Sequence, residues 1–164
     1  MPKETRVTYQ NKGFWIPEGF VVVLSQYICN AFETIGLDKF SPDLIKIYHS
    51  CDGNRTGEHH YMVGLRFDNK VKSSEDARNL IDVLEKAKAI VLSKGTEISI
   101  SELNQFESEK TVQEDIGEWT LPIKTKSLAT TLTFMQQLID GSWSSSNYAV
   151  YYEGFPNPSN CIEI

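Results

Sequence analysis

Apolar residues recur at two periods along this chain of 164 residues, and the order in which those periods alternate limits the folds open to it. Three stretches, 17–36, 73–95 and 127–141, carry apolar residues every three or four positions, which is the period of an amphipathic α-helix. Each begins with proline or a capping serine and ends at a glycine, as helices commonly do. The sequence therefore predicts three helices at these positions.

Between the predicted helices, apolar and polar residues alternate singly, which is the period of a half-buried β-strand. Residues 44–50 and 59–67 are predicted as two strands, and the glycine- and asparagine-rich stretch between them predicts a hairpin. The first 16 residues contain either a short hairpin or a strand followed by an aromatic plug. Further short strands are predicted at residues 98–100, 119–123, 148–152 and 161–164.

These elements predict an α+β fold, with an antiparallel or mixed sheet of five to seven strands and about three amphipathic helices packed on it. A doubly wound parallel sheet is less favoured, because its crossover helices have no room between strands 44–50 and 59–67. A chain of 164 residues has the length of one ordinary domain, and no linker-like stretch divides it. Residues 1–164 are therefore expected to form a single globular domain.

Negative charge is concentrated in one segment, ELNQFESEKTVQEDIGE at residues 102–118. Six acidic residues and a single lysine there account for most of the formal net charge of −6. Apolar residues are too sparse in this segment for a core helix, so we predict a surface loop with one helical turn and four buried anchors: Leu103, Phe106, Val112 and Ile116. A like-charged surface of this kind steers and orients a positively charged partner.

Carboxylates and aromatic residues are interleaved in this segment, and that combination is typical of a protein-binding surface. The aromatic residues would supply affinity, and the carboxylates would supply on-rate and register. Simple solvation of a charge run is the alternative interpretation. The candidate partner-binding residues are Phe106, Glu107, Glu109, Glu114, Asp115, Glu118 and Trp119.

A second group of candidate residues lies around the predicted hairpin: His49, Cys51, Asp52, His59 and His60. If the two strands pair, His49 and His59 approach each other, and two imidazoles can act as general base and general acid. With Cys51 they can also hold a transition metal. The spacing matches no standard zinc motif, and no fourth ligand is evident. Polar residues near a strand end are therefore the preferred interpretation, and no metal or cofactor is predicted.

Several function classes lack their sequence signatures. The chain has no phosphate-binding glycine loop, no nucleophile elbow and no HExxH helix. Its pI near 5.1 and its lack of clustered lysine and arginine disfavour direct nucleic-acid binding. It has no apolar run of signal-peptide or membrane-spanning length, and its three cysteines are widely spaced, so we expect a cytoplasmic protein.

Aromatic residues also gather near the carboxyl end, where Trp143 precedes an alternating stretch that contains Tyr148, Tyr151 and Tyr152. One interpretation places them in the core. The other exposes tyrosine on a rigid edge strand, as protein interfaces often do, and would suit a subunit of an oligomer. The alternation fixes which residues share a face but not which face is buried.

In size, acidity, expected location and lack of a catalytic motif, and in its acid-rich stretch ESEKTVQEDIGEW, the chain resembles the bacterial immunity proteins that block secreted toxins, including those of contact-dependent growth inhibition systems. The resemblance implies stoichiometric binding of a basic toxin domain, often a nuclease. Carboxylates would take the place of substrate phosphates or occlude the toxin's site. The alternative function is a small hydrolase or metal-dependent nuclease that uses His49, His59 or His60.

Overall fold

The computed structural model describes residues 3–59, 61–112, 116–151 and 161–164. Within them, the strands are β1 Glu4–Tyr9, β2 Lys12–Pro17, β3 Leu65–Arg66, β4 Glu97–Ile98, β5 Ile123–Lys124, β6 Tyr148–Tyr151 and β7 Cys161–Glu163. The helices are α1 Glu18–Ile35, α2 Pro42–Thr56, α3 Ser74–Leu92, α4 Ile100–Ser108 and α5 Thr125–Asp140, with a 3₁₀ turn at Leu37–Lys39.

Five strands form a mixed sheet in the order β3-β1-β2-β6-β7, and β4 and β5 form a separate antiparallel pair. Strands β1 and β2 are antiparallel, whereas the other pairs in the larger sheet are parallel. The predicted α+β class is confirmed, with five α-helices among the described residues where about three were predicted. The described helices include none that is long and apolar enough to cross a membrane.

The amino-terminal hairpin, one of two alternatives for the first 16 residues, is confirmed. Its two turn residues, Gln10 and Asn11, have positive φ angles of 50° and 64°, as a tight two-residue turn between antiparallel strands requires. Gly13 follows the turn, where a Cβ atom would overlap the carbonyl oxygen of Val7. Only glycine therefore allows the two strands to approach this closely.

Helices cover one face of the sheet and form the core with it. Helix α3 packs against both α1 and α5, and α2 packs against the outer side of α1. From the sheet, Val7, Phe14 and Ile16 are buried against these helices. Because neighbouring residues of a strand point to opposite faces, Arg6 and Trp15 lie on the face away from this core.

The predicted strand at 44–50 is wrong, because residues 42–56 form helix α2. Leu44, Ile47 and Cys51 are buried at spacings of three and four residues, which is the helical period. The Ser41 hydroxyl accepts a hydrogen bond from the Leu44 amide at 3.2 Å, and Gly57 ends the helix with φ of 83°. These capping signals outweigh the local alternation that predicted a strand.

The predicted hairpin between 44–50 and 59–67 is therefore also wrong. Among the described residues of 59–67, Leu65 and Arg66 alone form a strand, and this strand pairs in parallel with β1. The apolar alternation predicted the burial of Val63, Leu65 and Phe67 correctly, but Tyr61, which belongs to the same alternating set, is 78% exposed.

The remaining predictions differ mainly at the ends of elements. Helices α1 and α3 confirm the first two predicted helices, and α5 begins two residues before the predicted cap at Ser127. The predicted strands at 98–100 and 119–123 overlap β4 and β5 only at Ile98 and Ile123, and Ile100 instead begins α4. The strands predicted at 148–152 and 161–164 correspond to β6 and β7, with Tyr152 outside the described residues.

Candidate functional site

The acidic segment is more ordered than predicted. Its first part forms helix α4, whose amino end is capped where the Ser99 hydroxyl accepts a hydrogen bond from the Glu102 amide at 3.1 Å. The prediction of a loop with one helical turn is wrong for these residues. A nine-residue helix is stable here because Leu103 is fully buried and Phe106 packs edge-on against Tyr27, with ring centroids 5.8 Å apart.

Glu107, a predicted partner contact, is instead buried inside this segment. One of its carboxylate oxygens lies 2.8 Å from the Lys110 ammonium nitrogen, and both side chains are at most 10% exposed. The carboxylate also accepts hydrogen bonds from the Gly117 amide at 2.9 Å and from the Trp119 indole at 3.3 Å. Glu107 therefore holds the following segment against α4 and is not available to contact a partner.

Hydrogen bonds between Asn104 of α4 and Trp119 also hold the segment after residue 116 against the helix. The Asn104 side chain donates to the Trp119 carbonyl at 3.1 Å and accepts from the Trp119 amide at 2.7 Å. The Trp119 ring also lies beside Gly19 at the start of α1, where a Cβ atom would be 3.6 Å from the ring. Trp119 and Phe106, both predicted as anchors for a partner, are thus half-buried and pack against their own chain.

Four exposed residues lie at the carboxyl end of α4 or in the stretch 116–121: Glu109, Ile116, Glu118 and Leu121. We call them the α4 end surface. Ile116 is 41% exposed and Leu121 is 59% exposed, so the prediction of Ile116 as a buried anchor is wrong. Glu109 accepts a 3.2 Å hydrogen bond from Gln105. The surface thus combines two exposed carboxylates with two large exposed apolar side chains.

The other carboxylates of the segment contribute less to this surface. Glu102 lies 2.8 Å from the Lys94 ammonium nitrogen and accepts a hydrogen bond from the Tyr27 hydroxyl at 3.1 Å. Burial raises the pKa of Tyr27, and the nearby Glu102 carboxylate raises it further, so Tyr27 remains a donor. The predicted contacts Glu114 and Asp115 lie outside the described residues.

The histidine and cysteine candidates do not converge. Because α2 is a helix, His49 and Cys51 point to different sides of it: His49 is exposed and Cys51 is fully buried. A hydrogen bond to Cys51, together with burial, raises the pKa of Cys29, which favours the unreactive thiol form. Asp52 pairs with Arg55 at 2.8 Å.

The His59 ring packs where a Cβ on Gly53 of α2 would be. His60 is outside the described residues. Across the described ranges, no three His, Cys, Asp or Glu side chains are close enough together to hold a metal ion. Among its described residues, this cluster therefore forms no metal site.

A cleft of about 860 Å³ opens on the sheet face away from the helices, and sequence reasoning did not predict it. Its lining includes three cationic side chains, Arg6, Arg66 and Lys70, together with Trp15 and His59. The alternation in β1 and near β3 indicated that Arg6 and Arg66 lie on polar faces. The sequence contains no signal that these two strands are neighbours, because they are almost 60 residues apart.

No family model, no curated protein and no solved structure matches this chain. What the protein does must therefore be inferred from its own surfaces. In the described part of the chain, the α4 end surface and the cleft each combine exposed apolar groups with charge.

Proposed function

We propose that this protein is a binding module that neutralises a basic protein partner, as an immunity protein does with the toxin domain of a competing bacterium. One observation carries the proposal. The α4 end surface includes exposed Ile116 and Leu121 together with exposed Glu109 and Glu118, all within residues 109–121. Apolar side chains at the centre of an interface provide most of its affinity, and carboxylates around them attract and orient a cationic partner.

The way this surface is held supports the proposal. Buried Glu107 bonds to Gly117 and Trp119, and Asn104 bonds to both backbone groups of Trp119. A surface that is already ordered loses little conformational entropy when a partner binds. The segment is therefore suited to tight, stoichiometric association.

Charge supports the same choice of partner. The whole chain has a formal net charge of −6, so long-range attraction favours a cationic protein. In a nuclease toxin, the cationic residues that bind substrate phosphates would be a suitable target for Glu109 and Glu118. The alternative, a hydrolase or metal-dependent nuclease using His49, His59 or His60, has no supporting geometry among the described residues.

The test begins with the coding neighbourhood. A toxin gene directly upstream supplies the partner, and its basic domain is titrated with the full-length protein by calorimetry. We expect Ile116→Ser/Leu121→Ser and Glu109→Gln/Glu118→Gln each to weaken binding tenfold or more, about 1.4 kcal/mol. These side chains are exposed, so both variants should fold normally.

A matched control removes the same charge elsewhere. Glu97→Gln/Asp82→Asn changes two exposed carboxylates that lie outside the α4 end surface, and binding should stay within twofold of wild type. Equal affinity of all three variants for the domain, or a gene neighbourhood made up of metabolic enzymes, would contradict the proposed function.

A further inference from the structure

The floor of the cleft is the outer face of the sheet. Arg6 pairs with Trp15 across the β1–β2 hairpin, so their side chains lie side by side on the same face. Thr8 pairs with Arg66 of β3, which brings Arg66 to that face two residues further along β1 from Arg6. Gly64 lines the cleft beside them and contributes no side chain to fill it.

Three cations meet in this cleft without counter-ions. Within the described ranges, no carboxylate oxygen lies within 4.0 Å of the charged groups of Arg6, Arg66 or Lys70. Arg6 donates one hydrogen bond to the Ser146 carbonyl at 2.9 Å, but its Nε is buried and has no acceptor among those residues. Unpaired cations side by side are costly unless an anion binds between them.

Lys70 shows the effect of this crowding. It is half-buried, and its ammonium nitrogen lies 3.3 Å from the Ser50 hydroxyl. Burial lowers the pKa of Lys70, and the positive charge of Arg66 acts in the same direction, whereas Cys51 and Asp68 oppose the shift. A bound anion would reverse both effects by replacing lost solvation and compensating the repulsion.

The carboxylates of the cleft do not cancel this positive charge. Glu4 and Asp68 also line it, but one Asp68 oxygen accepts a 2.8 Å hydrogen bond from the Gln10 amide in the hairpin turn. Three cationic side chains therefore face two carboxylates, in a protein whose formal net charge is −6. This local reversal of sign indicates an anionic ligand.

The remaining lining and the size of the cleft narrow the ligand further. Trp15 is 43% exposed and offers a flat ring beside Arg6. Planar heterocycles stack on such rings, and arginine binds phosphate oxygens through paired N–H groups. A volume of about 860 Å³ is within the range of sites for small molecules. A long polyanion would be repelled by the net negative charge.

We propose that this cleft binds a small organic phosphate of mononucleotide size, with its phosphate between Arg66, Arg6 and Lys70 and its planar ring against Trp15. This function is separate from the one proposed above, because none of the cleft residues belongs to the α4 end surface. Either proposal can fail while the other holds.

Calorimetric titration of the full-length protein with AMP, GMP, CMP and UMP tests the proposal. We expect at least one of the four nucleotides to bind. The corresponding nucleoside alone and inorganic phosphate alone should each bind at least tenfold more weakly than that nucleotide. Arg66→Gln should weaken nucleotide binding at least tenfold. Trp15→Phe should weaken it severalfold and remove the ligand-dependent change in tryptophan fluorescence.

Arg78→Gln is the matched control, because Arg78 is exposed on α3 and lies outside the cleft. It should bind nucleotide as wild type does. If Arg66→Gln does not fold, Lys70→Gln provides the same test. Three results would each overturn the proposal. The first is no binding of any of the four nucleotides at about 1 mM. The others are an equal loss of nucleotide affinity in Arg66→Gln and Arg78→Gln, or tighter binding of a single-stranded oligonucleotide than of any mononucleotide.

Discussion

Glu107 is the residue on which the order of the α4 end surface depends. Its carboxylate bonds to Lys110, Gly117 and Trp119 while almost fully buried. Sequence reasoning identified Glu107 as one of several acidic residues in the segment, but charge alone did not distinguish a buried carboxylate from an exposed one. That difference depends on the position of Lys110, three residues later and just beyond the end of α4, and on the return of the chain at Gly117.

We predict that Glu107→Gln lowers the free energy of unfolding by about 1–3 kcal/mol, because the neutral amide loses the charge-assisted contacts that the Glu107 carboxylate makes with Lys110, Gly117 and Trp119. Urea denaturation measures the change. Glu109→Gln is the control: it lies two residues away and is exposed, so its effect should stay within about 0.5 kcal/mol. If both variants lose equally little stability, the account of Glu107 as an organising residue is wrong.

Tyr48 makes stability depend on alkaline pH. Its hydroxyl donates to a Glu33 carboxylate oxygen at 2.9 Å. Burial, followed by the hydrogen bond to Glu33, raises the pKa of Tyr48 to about 12 from an ordinary value of 10.0. The folded state therefore holds this proton more tightly than the unfolded chain does. The resulting stability is fully present below pH 10 and is lost as the pH rises through about 12.

We therefore predict that the free energy of unfolding falls between pH 9 and pH 12 and that Tyr48→Phe reduces the size of this fall. Phenylalanine keeps the ring but has no proton to lose. Urea denaturation of both proteins at the two pH values gives the comparison. An identical fall in the variant would show that Tyr48 does not contribute in this window.

At the scale of secondary structure, the sequence predicted those helices that have long apolar faces. Helix α1 was found because ten of its residues are buried and recur at helical spacing. Helix α2 was missed because only Leu44, Ile47 and Cys51 form its apolar stripe, and the local run Ile45–Tyr48 alternates as a strand does. Its caps, Ser41 and Gly57, were the sequence signals that could have identified it as a helix.

The short strands were the least predictable elements. Strand β3 has two residues and exists because it pairs with β1, about 58 residues earlier in the chain. Such pairing is a tertiary interaction, and residue preferences in strands depend strongly on it. The sheet class was predicted correctly, whereas the strand order was not available from periodicity.

A prediction at this scale concerns Gly53, within α2. A Cβ atom there would overlap the His59 ring, so the helix accepts a glycine where alanine would normally be about 1 kcal/mol more favourable. We expect Gly53→Ala to stabilise the protein by up to about 1 kcal/mol in a His59→Ala background, and by clearly less, or not at all, when His59 is present.

Thermal and urea unfolding of the four proteins in this double-mutant cycle measure the coupling. His59 lines the cleft, so its displacement by Gly53→Ala should also alter the cleft wall. The same effect of Gly53→Ala in both backgrounds would mean that His59 does not occupy this position in solution.

At the scale of the whole molecule, the sequence indicated the acidic surface but not the cleft. The acidic segment was recognisable because its charged residues are close together in the sequence, although the exposure of its apolar residues Ile116 and Leu121 was not predicted. The cleft was not recognisable, because Arg6 and Arg66 are brought together only by the pairing of β1 with β3. A charged surface formed by residues close in sequence can be predicted from the sequence, whereas one assembled by the pairing of distant strands cannot.

These two surfaces have opposite character within one acidic protein. The α4 end surface presents carboxylates beside apolar side chains, and the cleft presents cations beside Trp15. The proposed neutralising function requires only the first of them. Its electrostatic part should be sensitive to salt, because exposed charges are screened within about 8 Å at physiological ionic strength.

The most direct test is the rate at which the protein associates with the basic toxin domain, measured by stopped-flow fluorescence at about 50 mM and about 500 mM salt. We predict that salt slows association of the wild type. Glu109→Gln/Glu118→Gln should associate more slowly at low salt and show a smaller salt dependence, while Glu97→Gln/Asp82→Asn behaves like wild type. The same salt dependence in all three proteins would contradict the assignment of the α4 end surface as the docking site.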